Sequence, residues 1–152
     1  KTIEPDEDYV ILFGKARLVQ EASSENTEKG KSMTVITYGM GVYWAKSAAK
    51  KFEGQVEIVD LRTIAPIDEA AIFESASKHG KCMVLTEEPV FNGFAQSIAS
   101  RITQACFKKL DAPVIVIGAE NMPAIPLNST LERTMLPNAE KVEQAMEDLL
   151  NY

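Results

Sequence analysis

The sequence predicts a three-layer α/β domain built on a mostly parallel sheet. Three observations carry that reading. Short apolar segments alternate with longer amphipathic ones along most of the chain, the pattern of strands joined by crossover helices. Two of the joints are strand–turn–helix phrases in succession. Met33–Thr37 runs into Tyr38-Gly39-Met40-Gly41, and Val56–Asp60 runs into Leu61-Arg62-Thr63-Ile64-Ala65-Pro66-Ile67-Asp68. Finally, Val114-Ile115-Val116-Ile117 is apolar at every position, as expected of a strand covered on both faces.

The elements follow in order. Residues 1–9, with Glu4-Pro5-Asp6-Glu7-Asp8, are polar and acidic and read as a leading linker. The first residue is Lys1 rather than Met, so the chain is expected to be a piece of something longer. Residues 10–13 are apolar until Gly14 breaks the run, and 16–20 form a short strand. Residues 21–31 carry Ser, Asn, Glu, Lys and Gly and read as an exposed loop. Met33–Thr37 is a strand, 42–52 a helix with Gly54 suited to its end, and Val56–Asp60 the next strand. Asp68 caps a helix that stops near His79-Gly80, since its carboxylate accepts from free amides of the first turn. Residues 82–85 are a third apolar strand. Asn92-Gly93 leads into a helix whose apolar face is Phe94, Ile98, Ile102 and Ala105. Asp111-Ala112-Pro113 turns the chain into 114–117, and 118–137, with three prolines, reads as irregular. Asn138 caps a last helix with the stripe Val142, Ala145, Met146, Leu149 and Leu150.

A chain of 152 residues is long enough for one domain with a sizeable core. Hydrophobic residues make up 45% and charged residues 25%, which places it in the globular class. A net charge of −6 without a basic stripe sets nucleic acid aside as a partner and favours a positively charged protein. No apolar run approaches the ~18 residues of a membrane span. Cys82 and Cys106 are too far apart for metal-ligand spacing and read as reduced core thiols, which fits a cytoplasmic protein.

Tyr38-Gly39-Met40-Gly41 has the makings of a phosphate cradle. A dinucleotide fingerprint needs a third glycine, however, and Trp44 stands in its place, although Asp60 sits at the distance of a ribose-binding acid. The segment reads as a tight β–α turn. Glu87-Glu88 follows the third strand, where ligands bind in open α/β sheets. Adjacent carboxylates serve as acid and base or hold a cation, but neighbours in sequence point apart, and Pro89 with Asn92-Gly93 marks a surface or interface loop. His79 is the only histidine, and its sequence surroundings indicate no triad. Arg62, directly after a strand, reads as an ion-pair partner of a neighbouring segment, with anion binding the alternative. Tyr43, Trp44, Phe91 and Phe94 are core or subunit interface. The residues alone thus yield an α/β domain with no self-contained active site. A free-standing nucleotide-binding or regulatory module is the alternative.

One ordered set of motifs goes further. Val35-Ile36-Thr37-Tyr38-Gly39, Val59-Asp60-Leu61-Arg62-Thr63-Ile64-Ala65-Pro66-Ile67-Asp68, Glu87-Glu88-Pro89, Gly93-Phe94-Ala95, Leu110-Asp111-Ala112-Pro113 and Leu136-Pro137-Asn138 occur in this order. Together they resemble the carboxyl-terminal domain of the beta subunit of 2-oxo acid dehydrogenases, in the transketolase superfamily, over nearly the whole chain. The resemblance implies a three-layer α/β/α sandwich whose five-stranded sheet has one antiparallel strand, residues 16–20. It also implies a linker from a preceding pyrimidine-binding domain over 1–13 and the domain itself over 14–152.

The parent enzyme implied is the decarboxylating component for pyruvate or a branched-chain 2-oxo acid. It depends on thiamine diphosphate and Mg and passes the acyl group to a lipoyl arm. In this family the cofactor sits between other domains, so this chain alone is expected to hold none and to be inactive. Its implied work is contact with the alpha subunit and a second beta subunit, or their fused equivalents, and docking of the lipoyl acyltransferase second component. By the same resemblance Asp111 and Tyr152 lie near that component's basic subunit-binding domain, while Tyr43, Trp44, Arg62, Glu87, Phe91 and Phe94 are candidate interface residues. Many relatives have His where Tyr43 and Thr86 stand and Glu where Ser97 stands. Transketolase or deoxyxylulose-phosphate synthase is the alternative parent.

Overall fold

The computed structural model describes residues 8–152; most of the expected acidic linker, residues 1–7, lies outside the described residues. Five strands form one sheet: β1 (Arg17–Gln20), β2 (Met33–Thr37), β3 (Val56–Asp60), β4 (Cys82–Pro89) and β5 (Ile115–Ala119), in the order β1-β3-β2-β4-β5. β1 runs antiparallel to β3, and every other pairing is parallel. The mostly parallel sheet with one antiparallel strand is therefore present as expected, and Arg17–Gln20, within the expected 16–20, supplies that strand.

The alternation of side chains along each strand sorts the core into two layers. On one face Met33, Val35, Val56, Ile58, Met83 and Leu85 pack under helices α2 (Met40–Ala48) and α6 (Ala139–Leu150). On the other, Ile36, Val59, Cys82 and Val84 meet α3 (Glu69–His79) and α4 (Phe94–Cys106). Full burial of each such side chain contributes about 1.5–3 kcal/mol. The last helix buries Val142, Met146 and Leu149, the heart of its predicted stripe. Both cysteines are buried and free.

Local capping sets several boundaries. Asp68 Oδ1 accepts from the Ala71 amide and so begins α3, while its Oδ2 accepts from the Ala16 amide just ahead of β1. The Ala16 amide is the chief reason the Asp68 carboxyl is held below its ordinary range. Gly80 ends α3 in the left-handed region at φ 69°, where a side chain would also run into the Asp111 carboxylate. Asn138 caps α6 as expected, accepting from the Lys141 amide.

Four local expectations need correction and a fifth, the burial of β5, needs refinement. Residues 21–31 are not all loop: Ser23 accepts from the Asn26 amide and starts a short helix, α1 (Ser24–Glu28). The second helix begins at Met40 rather than 42, because the Gly39 turn already leads into it. In α4 the buried face is Ala95, Ile98, Ala99, Ile102 and Cys106, and Ala105 is exposed. β5 and the residue before it pack against both core layers, Ile115 and Ile117 on one and Val114 and Val116 on the other, but β5 is a sheet edge and residues 115–118 are only half-buried. The stretch 118–137 contains a further helix, α5 (Ser129–Met135), capped by the Asn128 side chain.

Candidate functional site

The parallel strands give the sheet two ends of different character. At their carboxyl ends lie the turns that carry the candidate interface residues. Tyr43 projects from α2 and is 60% exposed. It lines an open cleft of about 920 Å³ together with Phe13, Arg17, Lys46, Asp60 and Arg62. Arg62 sits at φ 54°, an unfavourable conformation for a residue with a Cβ. Its guanidinium donates to the carbonyls of Lys15, at 3.1 and 2.9 Å, and of Ala16. The expected ion pair is thus replaced by a brace on backbone carbonyls, while Asp60 Oδ1 accepts from the Arg62 amide at 3.0 Å.

The remaining residues at this end divide. Phe91 is exposed beside a second cleft of about 430 Å³. Trp44 and Phe94 are half-buried, each packed against one of the two core layers. Glu87 and Glu88 do not follow the third strand but belong to it, since β4 runs on to Pro89. Glu87 faces solvent. Glu88 turns inward, where Oε1 accepts from the Ala95 amide at 2.8 Å and fills the amino end of α4. The adjacent carboxylates therefore point apart as expected and share no site.

At the amino ends of the strands the structure brings Asp111 and Tyr152 together. Both line a surface cleft of about 510 Å³ with Phe107, Leu110 and Pro113. The Asp111 amide donates to the Gly80 carbonyl at 2.8 Å, so its backbone pins the turn while its side chain remains exposed. Lys81 Nζ donates to the Leu150 carbonyl at 2.8 Å and holds the end of α6 to the same region.

Sequence reasoning missed the most connected cluster, which lies inside this amino end. His79 is buried, with Nδ1 2.7 Å from Ser32 Oγ. Its Nε2 is 3.1 Å from Glu57 Oε2, a close polar contact too far off line to be a well-aligned hydrogen bond. Lys78 Nζ reaches the same oxygen at 2.6 Å, and Ser75 Oγ lies 2.7 Å from Glu57 Oε1. Burial alone would raise the Glu57 pKa. Contacts with His79, Lys78 and Ser75 outweigh it and hold the carboxyl down at about 2. The Ser–His–Glu order resembles a nucleophile, a base and an orienting acid. Ser32 is 0% exposed, however, so no substrate atom reaches its hydroxyl in this fold. The sequence signal available was a Glu at an inward position of a strand with a Lys-His pair at a helix end.

The comparisons with known proteins bear on what these surfaces serve. The family model described as "Transketolase, C-terminal domain" matches residues 22–142. The chain belongs to the transketolase C-terminal domain family. Among curated relatives, this transketolase C-terminal domain is 37% identical over 97% of its length to the 2-oxoisovalerate dehydrogenase subunit beta of Bacillus subtilis, of which it covers 44%. It is 35% identical over 92% of its length to the pyruvate dehydrogenase E1 component subunit beta of Rhizobium meliloti, covering 29% of that protein. The chain thus spans less than half the length of these relatives. A solved split-gene transketolase, an inactive β4 tetramer, matches 98% of the chain and 44% of its own at a TM-score of 0.69 and 24% identity, which shows the fold.

The glycine turn of this transketolase C-terminal domain does not fit a diphosphate cradle. A Cβ at Gly41 would collide with Thr37 Oγ1 and press on the Leu85 carbonyl, so the turn lies directly against protein. The Gly41 and Val42 amides already donate to the Tyr38 and Gly39 carbonyls. Among the described residues no group of three or more His, Cys, Asp or Glu is placed to hold a metal ion.

Proposed function

We propose that this chain is the carboxyl-terminal assembly and docking domain of the beta subunit of a 2-oxo acid dehydrogenase decarboxylating component. The observation that carries the reading is the similarity to the 2-oxoisovalerate dehydrogenase subunit beta over 97% of the chain. Residues 1–13 then join a preceding domain, and 14–152 form the assembly domain. The parent enzyme decarboxylates pyruvate or a branched-chain 2-oxo acid oxidatively and transfers the acyl group to lipoyl, using thiamine diphosphate and Mg held outside this chain. Because the Gly39-Met40-Gly41 turn does not fit the cofactor, no chemical step is assigned to these residues.

The two ends of the sheet divide the assembly work. At the carboxyl ends, Tyr43, Arg62 and Phe91 meet the alpha subunit or the second beta subunit. Glu87 lies at the rim, and Trp44 and Phe94 support the contact from the half-buried layer. At the amino ends, Asp111 and Tyr152 receive the basic subunit-binding domain of the lipoyl acyltransferase. Their shared cleft supports this, because an exposed carboxylate beside an aromatic ring suits a cationic partner. The test is calorimetric titration of the whole decarboxylating component with that subunit-binding domain. Asp111→Ala is expected to weaken binding and flatten its salt dependence; unchanged affinity at low salt would remove Asp111 from the docking site.

A further inference from the structure

We infer that Lys81 is a positioning residue for docking: it holds the end of α6, and with it Tyr152, beside the turn that carries Asp111. The inference rests on the docking role proposed above for Asp111 and Tyr152. Three consecutive residues at the joint of α3 and β4 reach three parts of the domain. His79 turns inward, with Nδ1 2.7 Å from Ser32 Oγ in the buried cluster. The Gly80 carbonyl accepts from the Asp111 amide at 2.8 Å, and a Cβ at Gly80 would run into the Asp111 carboxylate, so that turn lies directly on the glycine. Lys81 Nζ donates to the Leu150 carbonyl at 2.8 Å. The lysine backbone is itself fixed, because its carbonyl accepts from the Thr34 amide of β2 at 2.9 Å. One rigid joint thus sets both sides of the Asp111–Tyr152 cleft.

Lys81 is only 8% exposed, and among the described residues its ammonium forms no ion pair. A buried charge without a counter-ion is costly, and an apolar side chain of similar length would fill the same space at less cost. What the ammonium adds is a donor for the last turn of α6, whose final carbonyls have no partner within the helix. It also sets a positive charge at the negative end of the helix dipole. Asn151 and Tyr152 follow Leu150 directly, and the Tyr152 ring, 72% exposed, lines the cleft with Asp111. Without the bond the end of α6 is free to fray, and Tyr152 loses its fixed place. Charge alone acts in the other direction, since a cation beneath a site for a basic partner opposes docking. Placement and charge therefore predict opposite effects of removing Lys81.

The test titrates the whole decarboxylating component with the subunit-binding domain of the lipoyl acyltransferase, by calorimetry at low and high salt. Lys81→Met keeps the apolar stem and removes the donor. It is expected to weaken docking about tenfold at both salt concentrations, the cost of reordering about one residue of backbone. The salt slope should stay close to the wild type, whereas Asp111→Ala flattens it. Lys81→Arg, which keeps the charge and the donors, is expected to restore most of the affinity. Lys81→Gln, too short to reach the Leu150 carbonyl, should show the same loss as Lys81→Met and replaces it if that variant does not fold. Hydrogen exchange gives a second readout. The Asn151 amide should exchange faster in Lys81→Met than in the wild type, while the Asp111 amide, bonded to Gly80, keeps its protection. Affinity equal to or above the wild type in the variants lacking the lysine, or no restoration by Lys81→Arg, overturns the inference. Unchanged exchange at Asn151 does the same. A salt-dependent loss in Asp111→Ala leaves the docking role standing in each of these cases. Unchanged affinity in Asp111→Ala at low salt removes that role from the cleft, and this inference with it.

Discussion

The interior of the amino end and the rim of the carboxyl end use polar and apolar groups in opposite ways. At the amino ends the polar side chains turn inward: Ser32, Glu57, Ser75 and His79 are all buried and join β2, β3 and α3. At the carboxyl ends apolar side chains turn outward: Ile11, Phe13, Tyr43 and Phe91 are exposed around open clefts. Buried polar groups cost free energy unless they are paired; apart from His79 Nε2, whose contact with Glu57 is off line, the side chains of the inner cluster are paired with one another and hold its elements in place. Exposed aromatic groups cost solvation unless another surface covers them, which makes the outer rim a place for contact. The buried cluster at the amino end holds the domain's own elements together, whereas the exposed rings at the carboxyl end, like Phe107 and Tyr152 on the surface of the amino end, contribute little to that core.

The strongest way to break this contrast is Glu57→Ala. It strands His79, Lys78 and Ser75 without their shared acceptor, and removing one partner of a buried pair costs about 3–5 kcal/mol. Because Lys78 is partly solvated, the lower figure, about 3 kcal/mol, is expected in urea unfolding of the isolated domain.

Acid should act on the same group. The Glu57 carboxyl is held at about 2 in the fold, below its unfolded value near 4.3. Its stabilisation is therefore complete above about pH 4.5 and lost as pH falls toward 2. The urea midpoint measured from pH 5 to pH 2 should fall for the wild type. It should fall less steeply for Glu57→Gln, which has no carboxyl to titrate. Parallel curves would mean that other carboxylates dominate.

Gly41→Ala probes the opposite end. The added methyl meets Thr37 Oγ1 and the Leu85 carbonyl, and overpacking of this kind costs about 1–3 kcal/mol. The gain in helix propensity offsets up to about 1 kcal/mol of that. A net loss of about 1–2 kcal/mol in thermal or urea unfolding is expected; stabilisation would mean that the turn has room for more than protein.

The smallest effects on stability are expected at the rim. Tyr43→Ser and Phe91→Ser should each change the unfolding free energy of the isolated domain by less than about 0.5 kcal/mol, while subunit assembly of the whole enzyme weakens in sedimentation experiments. A large stability loss at either position would make the rim part of the core and dissolve the contrast between the two ends.

Most of the architecture was legible in the residues. The periods of the apolar pattern placed β2, β3 and the helices around them, and single capping residues such as Asp68 and Asn138 placed helix starts, because both signals act within a few residues. The same locality explains the errors. Ser23 and Asn128 are caps as good as those two, but the segments they begin are short and polar, so no apolar stripe announced α1 or α5. Residues 114–117 read as a strand covered on both faces, and β5 does touch both core layers, but its place at the sheet edge leaves it half-buried, since composition records apolarity and not which neighbours arrive.

The family was likewise carried by the order of motifs along the chain. The sites were not. Ser32, Glu57 and His79 lie 25 and 22 residues apart in sequence and meet only because parallel strands bring their amino ends level with the carboxyl end of α3. Asp111 and Tyr152 share a cleft for the same reason, and Arg17, Lys46 and Arg62 face one another only once β1 has paired antiparallel with β3. Sequence by itself determined most of the elements, the layered α/β class and the family, because hydrophobic periodicity and capping are short-range. Tertiary structure alone decided which charges are buried together and which are left open to a partner, because electrostatic contacts depend on distances through space that chain separation does not encode.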